Sequence, residues 1–375
     1  MQQDFSFWEF ETYSREWDIC IIGNGITGLS TGISLLENNP ALHVLVVDQW
    51  FIPLGASTRN AGFCCFGSPS EILDDIARVG EENAISLVRK RWQGLLKLRE
   101  RIDNSYARYE TNGGYELFKD QGFEKVADRL EYLNKLLADV IDRPQVFKQV
   151  EVPQGISGFT HAVYNSLDGQ LHPGFMMEDL KNKYLALGGK MRTGYPVDAI
   201  EEHDDHVQLL NHLALPITAK KVIVTTNAFA FKLLPQLDVH GARNHVFVTN
   251  PIPGLSWKGC FHFDKGFYYF RNIGNRILLG GARNTDIENE YTEEFGFNPK
   301  IVDTLHQFLY DHLADRTQCK LEYQWSGIIG IGSVKHPIIK ALSPRLFVGV
   351  RLSGIGIALA SLIGEELTQL VLQQE

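Results

Sequence analysis

The sequence predicts an α/β chain, a nucleotide-binding domain assembled from three separated pieces with a second, α+β domain inserted twice. Three observations carry this reading. Asp18 to Leu36 (DICIIGNGITGLSTGISLL) runs from a short apolar strand through Gly23, Gly25 and Gly28 into a segment with apolar residues at Ile26, Leu29, Ile33 and Leu36, the spacing of one helix face. A strand, glycine turn and helix recur at the far end, in Leu346 to Leu372. Between them, Lys220 to Thr226 (KKVIVTT) reads as a buried parallel strand that returns the chain to the first sheet.

Taken in order, residues 1–16 read as a lead-in that packs aromatics on the first domain. In the dinucleotide unit Gly23 permits the tight turn, Gly25 lets a diphosphate approach the backbone, and Gly28 lets helix and strand pack closely. The anion then sits at the helix N-terminus, where the dipole is positive. A second apolar run ends in Asp48, twenty residues past Gly28, where a carboxylate meets ribose hydroxyls. The small and polar residues of Gly55 to Gly62 (GASTRNAG) form a loop suited to lie against a ligand.

Helical periodicity covers Glu71 to Ile102 with a break at Gly80, and again 121–140. Tyr106 to Phe118 reads as strands around the turn at Asn112 to Gly114, and a helix follows His172 and Pro173. Val197 to Leu210 reads as a hairpin, its tip holding Asp204 and Asp205 between His203 and His206 as a solvated turn rather than a metal site. Strands dominate again from Asn244, including one with Tyr268, Tyr269 and Arg271, where alternation sends Tyr269 and Arg271 to one face. Because glycine turns precede helices at both ends of the chain, a cofactor long enough to reach both is the economical explanation.

Composition narrows the class. A net charge of -9 and the lack of a long basic run argue against nucleic acid as a partner. The N-terminus lacks signal-peptide form, and Leu346 to Leu372 is interrupted by Arg351, Glu365 and Glu366, so a cytoplasmic protein without membrane insertion is expected. Five cysteines without Cys-x-x-Cys spacing indicate neither a disulfide framework nor zinc.

These motifs, with QWSGIIG near residue 326 and SGIGIALA at Ser353 to Ala360, make the chain resemble the D-amino-acid oxidase superfamily of FAD-dependent oxidoreductases, which includes glycine, sarcosine and γ-glutamylputrescine oxidases. The resemblance implies a Rossmann-like FAD-binding domain (1–85, 168–230 and 325–375) and an antiparallel-sheet substrate domain (86–167 and 231–324). It places Gly23, Gly25, Ile26, Thr27 and Gly28 at the diphosphate, with Asp48 and Gln49 on the adenosine side. Ser57, Arg59, Asn60, Ala61 and Gly62 would pass along the diphosphate and flavin ring, and Val197 would read adenine through its backbone. Thr226, Asn227 and Gly327 complete that set. Gly354, Ile355, Gly356 and Ile357 would set backbone NH groups near the flavin pyrimidine, where a helix N-terminus stabilises the charge of reduced flavin.

The implied chemistry is removal of hydride from a CH–NH bond of an amine or amino acid to flavin N5, hydrolysis of the imine, and reoxidation by dioxygen or an electron carrier. Oxidation of a 2-hydroxy acid, a tRNA-modifying oxidase and a flavin-bound protein without turnover are the alternatives. Relatives that oxidise amino acids often carry an Arg where this chain has Ile328 or Ile329, and a lysine of sarcosine oxidases is replaced by Ala358. No cysteine or histidine stands where relatives tether flavin, so noncovalent FAD is expected. Arg351 is expected to face the flavin or the substrate, against the alternative of a paired arginine at a sheet edge. Tyr269, Trp325 and His336 complete the candidate catalytic set, with Tyr115 a weaker candidate for the substrate pocket.

Overall fold

A computed structural model describes residues 6–13, 15–212 and 215–374. The early strands are β1 (Trp17–Ile22), β2 (Val44–Asp48), β3 (Phe63–Cys64), β4 (Gly114–Phe118), β5 (Phe147–Val150) and β6 (His161–Asn165). The middle ones are β7 (Gly169–Gln170), β8 (Lys190–Thr193), β9 (Ala199–Glu202), β10 (Val207–Leu210), β11 (Ile217–Val224) and β12 (His240–Thr249). The last are β13 (Cys260–Phe263), β14 (Tyr268–Ile273), β15 (Arg276–Gly281), β16 (Leu321–Ile331), β17 (Ile338–Ala341) and β18 (Leu346–Val350).

Two eight-stranded sheets organise them. The first has the order β17-β18-β11-β1-β2-β8, with the hairpin β9–β10 attached to β11. Its centre is parallel: β1 pairs with both β2 and β11, and β11 pairs with β18. Helices cover it, so its strands read as unbroken apolar runs; Ile21, Val47 and Ile223 are fully buried. The expected return of KKVIVTT to the first sheet is therefore what the pairing shows. Helices Ile26–Asn38 and Gly356–Gln373 pack side by side through small residues, with Ser30 Oγ and Ser361 Oγ 3.5 Å apart.

The second sheet runs β16-β12-β15-β14-β13-β4-β6-β5 and is antiparallel except where β13 joins β4. Two expected cut points fall inside elements: residue 86 lies within helix Glu81–Arg101, and residue 325 lies within β16, which stays in this sheet to Ile331.

Other boundaries also moved. The helix expected over 121–140 is two, Asp120–Ala127 and Leu130–Ile141, and only Gly114–Phe118 of the 106–118 stretch is a strand. The lead-in aromatics stay largely at the surface: Phe7, Trp8, Phe10 and Tyr13 on helix Phe7–Tyr13 are each more than half exposed, with Arg192 lying over the Tyr13 ring. Residues 1–5 and 14 of that lead-in lie outside the described residues. Among the described residues no helix is long and apolar enough to cross a membrane.

Candidate active site

A cavity of 540 Å³ runs between the sheets. One end lies at the carboxyl ends of β1, β2 and β11, the position where parallel sheets bind nucleotides. Gly23, Gly25, Ile26, Thr27, Asp48, Gln49 and Val197 line that end. A Cβ on Gly28 would sit 1.9 Å from the Gly23 carbonyl oxygen, so this residue shapes the turn from behind rather than lining the cavity. Asp48 accepts hydrogen bonds from the backbone NH of Asn24 (3.0 Å) and of Trp50 (2.9 Å). Burial pushes its carboxyl up, against those two bonds.

The GASTRNAG loop carries the wall onward. Ser57 Oγ accepts from the Ile26 NH at 3.0 Å, tying the loop to the first glycine turn. Asn60 braces the loop from inside, donating to the Ser57 carbonyl at 2.8 Å and accepting from the Gly62 NH at 2.8 Å. Arg59 donates to the Ser326 carbonyl at 2.8 Å and lies over the Phe295 ring. Ser57, Arg59, Asn60, Ala61, Gly62, Thr226, Asn227 and Gly327 all line the cavity, as do Gly354, Ile355, Gly356 and Ile357.

Helices Ile26–Asn38 and Gly356–Gln373 both begin on this cavity, and neither is capped by the side chain of the residue before it. Apart from the Ile26 NH, which Ser57 Oγ takes, the first NH groups of the two helix starts thus face one elongated space. That arrangement fits a dinucleotide whose diphosphate meets the first helix and whose flavin meets the second.

The far end is walled by the second sheet. A row of cross-strand partners runs His262, Tyr269, Gly280, Val246, Trp325 across five strands. The Tyr269 ring lies over Gly280, where a Cβ would come within 2.5 Å of it, and meets Phe63 edge-on at 5.8 Å. Tyr268 faces the opposite way and stacks on Phe308, so alternation placed this strand's faces as read. Arg271, on the Tyr269 face, is spent on the carbonyls of Ala61 and Leu171.

Several expected catalytic residues stand elsewhere. Arg351 turns from the cavity: it donates to Asp238 Oδ2 at 2.6 Å and to the His336 carbonyl at 2.9 Å, the paired-arginine alternative. Its own φ of +65° breaks the strand alternation that would have aimed it at the cofactor. His336 serves there through its backbone. Trp325 donates its indole NH to the Arg59 carbonyl at 2.9 Å and so supports the loop from behind. Tyr115 stacks on Phe261 within the second domain's core.

Sequence reasoning missed other cavity residues. Glu71 is one: burial pushes its carboxyl up, but Arg91 and Lys335 outweigh burial and hold it at about 2. His262 is another, its pKa lowered by burial to about 4, so the ring is neutral near pH 7. Lys265 pairs with Asp74 at 2.7 Å across the mouth. Arg283 and the apolar Ile328 and Ile329 also line the wall. Ligand-type atoms of Cys65, Asp168 and His262 lie within 4.8 Å of one another, but burial raises the Cys65 and Asp168 pKa values and so favours their neutral forms. The five cysteines are free thiols.

Comparison with known proteins agrees with this geometry. Residues 18–370 match the family described as FAD dependent oxidoreductase, DAO. A probable oxidoreductase OrdL of Haemophilus influenzae is 22% identical, covering 99% of this chain and 86% of its own length. The γ-glutamylputrescine oxidoreductase of Escherichia coli is 24% identical, covering 94% and 83%. Among solved structures, glycine oxidase from Geobacillus kaustophilus shares the fold with a TM-score of 0.76, at 19% identity and 96% coverage of both chains. With two helix starts on one cavity and a family match over nearly its whole length, the chain belongs to the DAO family of FAD-dependent oxidoreductases.

Proposed function

We propose that this enzyme oxidises a CH–NH bond of an amine or amino acid, with FAD held noncovalently. The observation that carries the reading is that the carboxylates lining the reaction end, Glu71 and Asp74, are engaged by cations of the chain itself. Glu71 is paired with Arg91 (3.1 Å) and Lys335 (3.2 Å), and Asp74 with Arg78 and Lys265. None is left to hold a substrate ammonium, and the walls offered by Phe63, Val246, Ile328 and Ile329 are apolar. Such surroundings favour the uncharged amine, whose lone pair is needed when the neighbouring carbon loses hydride. Bound FAD supplies the two-electron acceptor.

The chain's own part is positional. The GASTRNAG loop and the turn at Gly354 bound the cofactor end, and Tyr269 with Phe63 excludes water from the opposite wall. Oxidation of a 2-hydroxy acid would call for a base, and the candidate catalytic residue His336, whose carbonyl accepts from Arg351, does not line the cavity. The similarity to γ-glutamylputrescine oxidoreductase and to glycine oxidase supports an amine substrate.

Anaerobic mixing of the purified holoenzyme with secondary amines, polyamine conjugates, D-amino acids and 2-hydroxy acids tests the reading. Bleaching of flavin absorbance by a CH–NH compound is expected. Bleaching by a hydroxy acid and by no CH–NH compound overturns it. Acid precipitation is expected to release all the flavin into the supernatant, whereas flavin retained in the pellet would show a covalent link.

A further inference from the structure

We infer that the reaction end of the cavity carries an inhibitory site for one zinc ion, with Cys65 Sγ, an Asp168 carboxylate oxygen and a His262 ring nitrogen as its protein ligands. Ligand atoms of these three residues lie within 4.8 Å of one another. Among the described residues no other three histidine, cysteine or acidic side chains converge in this way, those of the hairpin tip at His203 to His206 included. Such a site stands apart from the CH–NH reading, because metal binding is measured without a substrate.

Three strands bring the ligands together. β3 and β7 pair antiparallel, with Phe63 opposite Gln170 and Cys64 opposite Gly169, so Cys65 and Asp168 are the next pair along. His262 comes from β13, between Glu116 of β4 and Tyr269 of β14. Neighbours hold these side chains in place. Asn165 Nδ2 donates to Asp168 Oδ1 at 3.0 Å, and the carboxyl fills the space of a Cβ on Gly114, which would fall 2.3 Å from Oδ2. The His262 ring meets Phe63 edge-on at 5.2 Å. Support of this kind orients ligands before a metal arrives. No sequence spacing announces the set, because its members are about a hundred residues apart.

His262 Nε2 is buried and makes no hydrogen bond with any described residue. An orphaned buried nitrogen is costly unless something meets it. Burial keeps the ring neutral down to about 4, so it offers a lone pair near pH 7. Burial also raises the Cys65 thiol and lifts Asp168 to about 8, so both hold protons until a metal displaces them. Exchange of those two protons for one Zn²⁺ leaves the charge of the buried group unchanged, which a low-dielectric site tolerates. The Glu71 charge reaches His262 and favours a cation there, and that of Arg271 reaches Cys65 and favours the thiolate. Sulfur, nitrogen and oxygen donors together suit zinc, whereas Mg²⁺ and Ca²⁺ take oxygen sets. Tetrahedral zinc spaces such donors by about 3.3–3.7 Å, so the side chains close by about 1 Å. Cys65 and His262 line the cavity with Asp168 behind them, which leaves the fourth position open to it. Cys260, whose thiol donates to the Gly169 carbonyl at 3.2 Å, is directed elsewhere. Zinc held there narrows the reaction end beside Phe63 and Tyr269 and so slows turnover.

Holoenzyme dialysed against EDTA and titrated with zinc chloride by calorimetry, in two buffers of different ionisation enthalpy, tests the site. About one equivalent is expected to bind, with about two protons released, and Mg²⁺ and Ca²⁺ are expected to give no binding heat. Cd²⁺ should add a thiolate-to-metal band to the ultraviolet difference spectrum, which excess zinc should remove. Cys65→Ser, Asp168→Asn and His262→Gln should each weaken zinc binding by about ten-fold or more, while Cys260→Ser and His206→Ala should leave it unchanged. No zinc binding, or Cd²⁺ binding without a thiolate band, overturns the inference. Those two measurements need no variant, so poor folding of Cys65→Ser leaves the question answerable. Zinc affinity that persists in all three ligand variants, or that is lost in His206→Ala, places the ion elsewhere and overturns it as well. Zinc is expected to slow flavin reduction by the amine and EDTA to restore it; bound zinc that leaves reduction unslowed overturns the inhibition. Should no amine reduce the flavin with or without zinc, the CH–NH reading fails instead, and calorimetry still decides the metal site.

Discussion

Arg351 and Gly28 show how much a single residue's backbone decides. The guanidinium of Arg351 bridges Asp238 and the His336 carbonyl, while its NH and that of Leu352 donate to Asn227 Oδ1 at 3.1 and 3.2 Å. This brace fixes the turn that leads into Gly354. Arg351→Met is expected to destabilise the holoenzyme by about 1–3 kcal/mol, because Asp238 is half exposed and loses less than a fully buried partner. Thermal unfolding measures this, and KM for the substrate should stay as it was. A KM that rises with unchanged stability would return Arg351 to the reaction site. From the sequence, its position beside the glycine turn was legible and its direction was not, because a positive φ at a strand's end leaves no trace in residue type. Gly28 is the opposite case, read correctly from spacing alone. Gly28→Val puts side-chain carbon against the Gly23 carbonyl and is expected to abolish FAD retention, read as the flavin-to-protein absorbance ratio after gel filtration.

At the scale of elements, cofactor-binding strands and helices were legible because each carries a local signal. Gly80 ends one helix and starts the next with φ +83°, as the sequence break suggested. The split between Asp120–Ala127 and Leu130–Ile141 falls at Asp128 and Arg129, which carry no glycine or proline to announce it. Side-chain contacts between distant loops and helices were not legible, unlike the return of Lys220 to Thr226 to the first sheet. Lys335, in the loop between β16 and β17, reaches helix Pro69–Val79, bonding Asp75 at 2.7 Å and Glu71 at 3.2 Å. Removing it leaves Glu71 with Arg91 alone. In Lys335→Met the Glu71 carboxyl should therefore titrate above its present value of about 2. The acid limb of kcat/KM is expected to move to higher pH, and a superimposable pH profile would show that Glu71 does not sense the cavity. The Lys265–Asp74 pair at the mouth is half exposed, so its loss should change stability by less than about 1 kcal/mol.

The whole molecule places buried acids where helix, strand and loop from both sheets converge. Glu116 on β4 accepts from the Ser70 NH at 2.9 Å and from the Ser70 hydroxyl, and burial still raises its pKa to about 7. Asp168, just before β7, accepts from Asn165 at 3.0 Å and is raised by burial to about 8. Both keep their protons in the folded state at pH values where the unfolded chain has released them. The unfolded state then binds fewer protons, so stability falls as pH rises from about 4 towards 7 for Glu116 and towards 8 for Asp168. Glu71 works in the other direction, its depressed pKa adding stability between about 2 and the ordinary carboxylate range. His262, held neutral down to about 4, opposes this trend up to the ordinary histidine range, so the holoenzyme should weaken chiefly from there towards pH 8. One proton contributes at most about 1.4 kcal/mol per pH unit, so the slope is measurable by urea unfolding. Asp168→Asn keeps a neutral, similarly shaped group and removes one of the two titrations. It should flatten the decline between pH 5 and pH 8, most visibly above pH 7, where Glu116 no longer contributes. Equal slopes in the variant and the wild type would mean that Asp168 is ionised in the folded enzyme, in which case the group it forms with Cys65 and His262 carries a charge that some partner must meet.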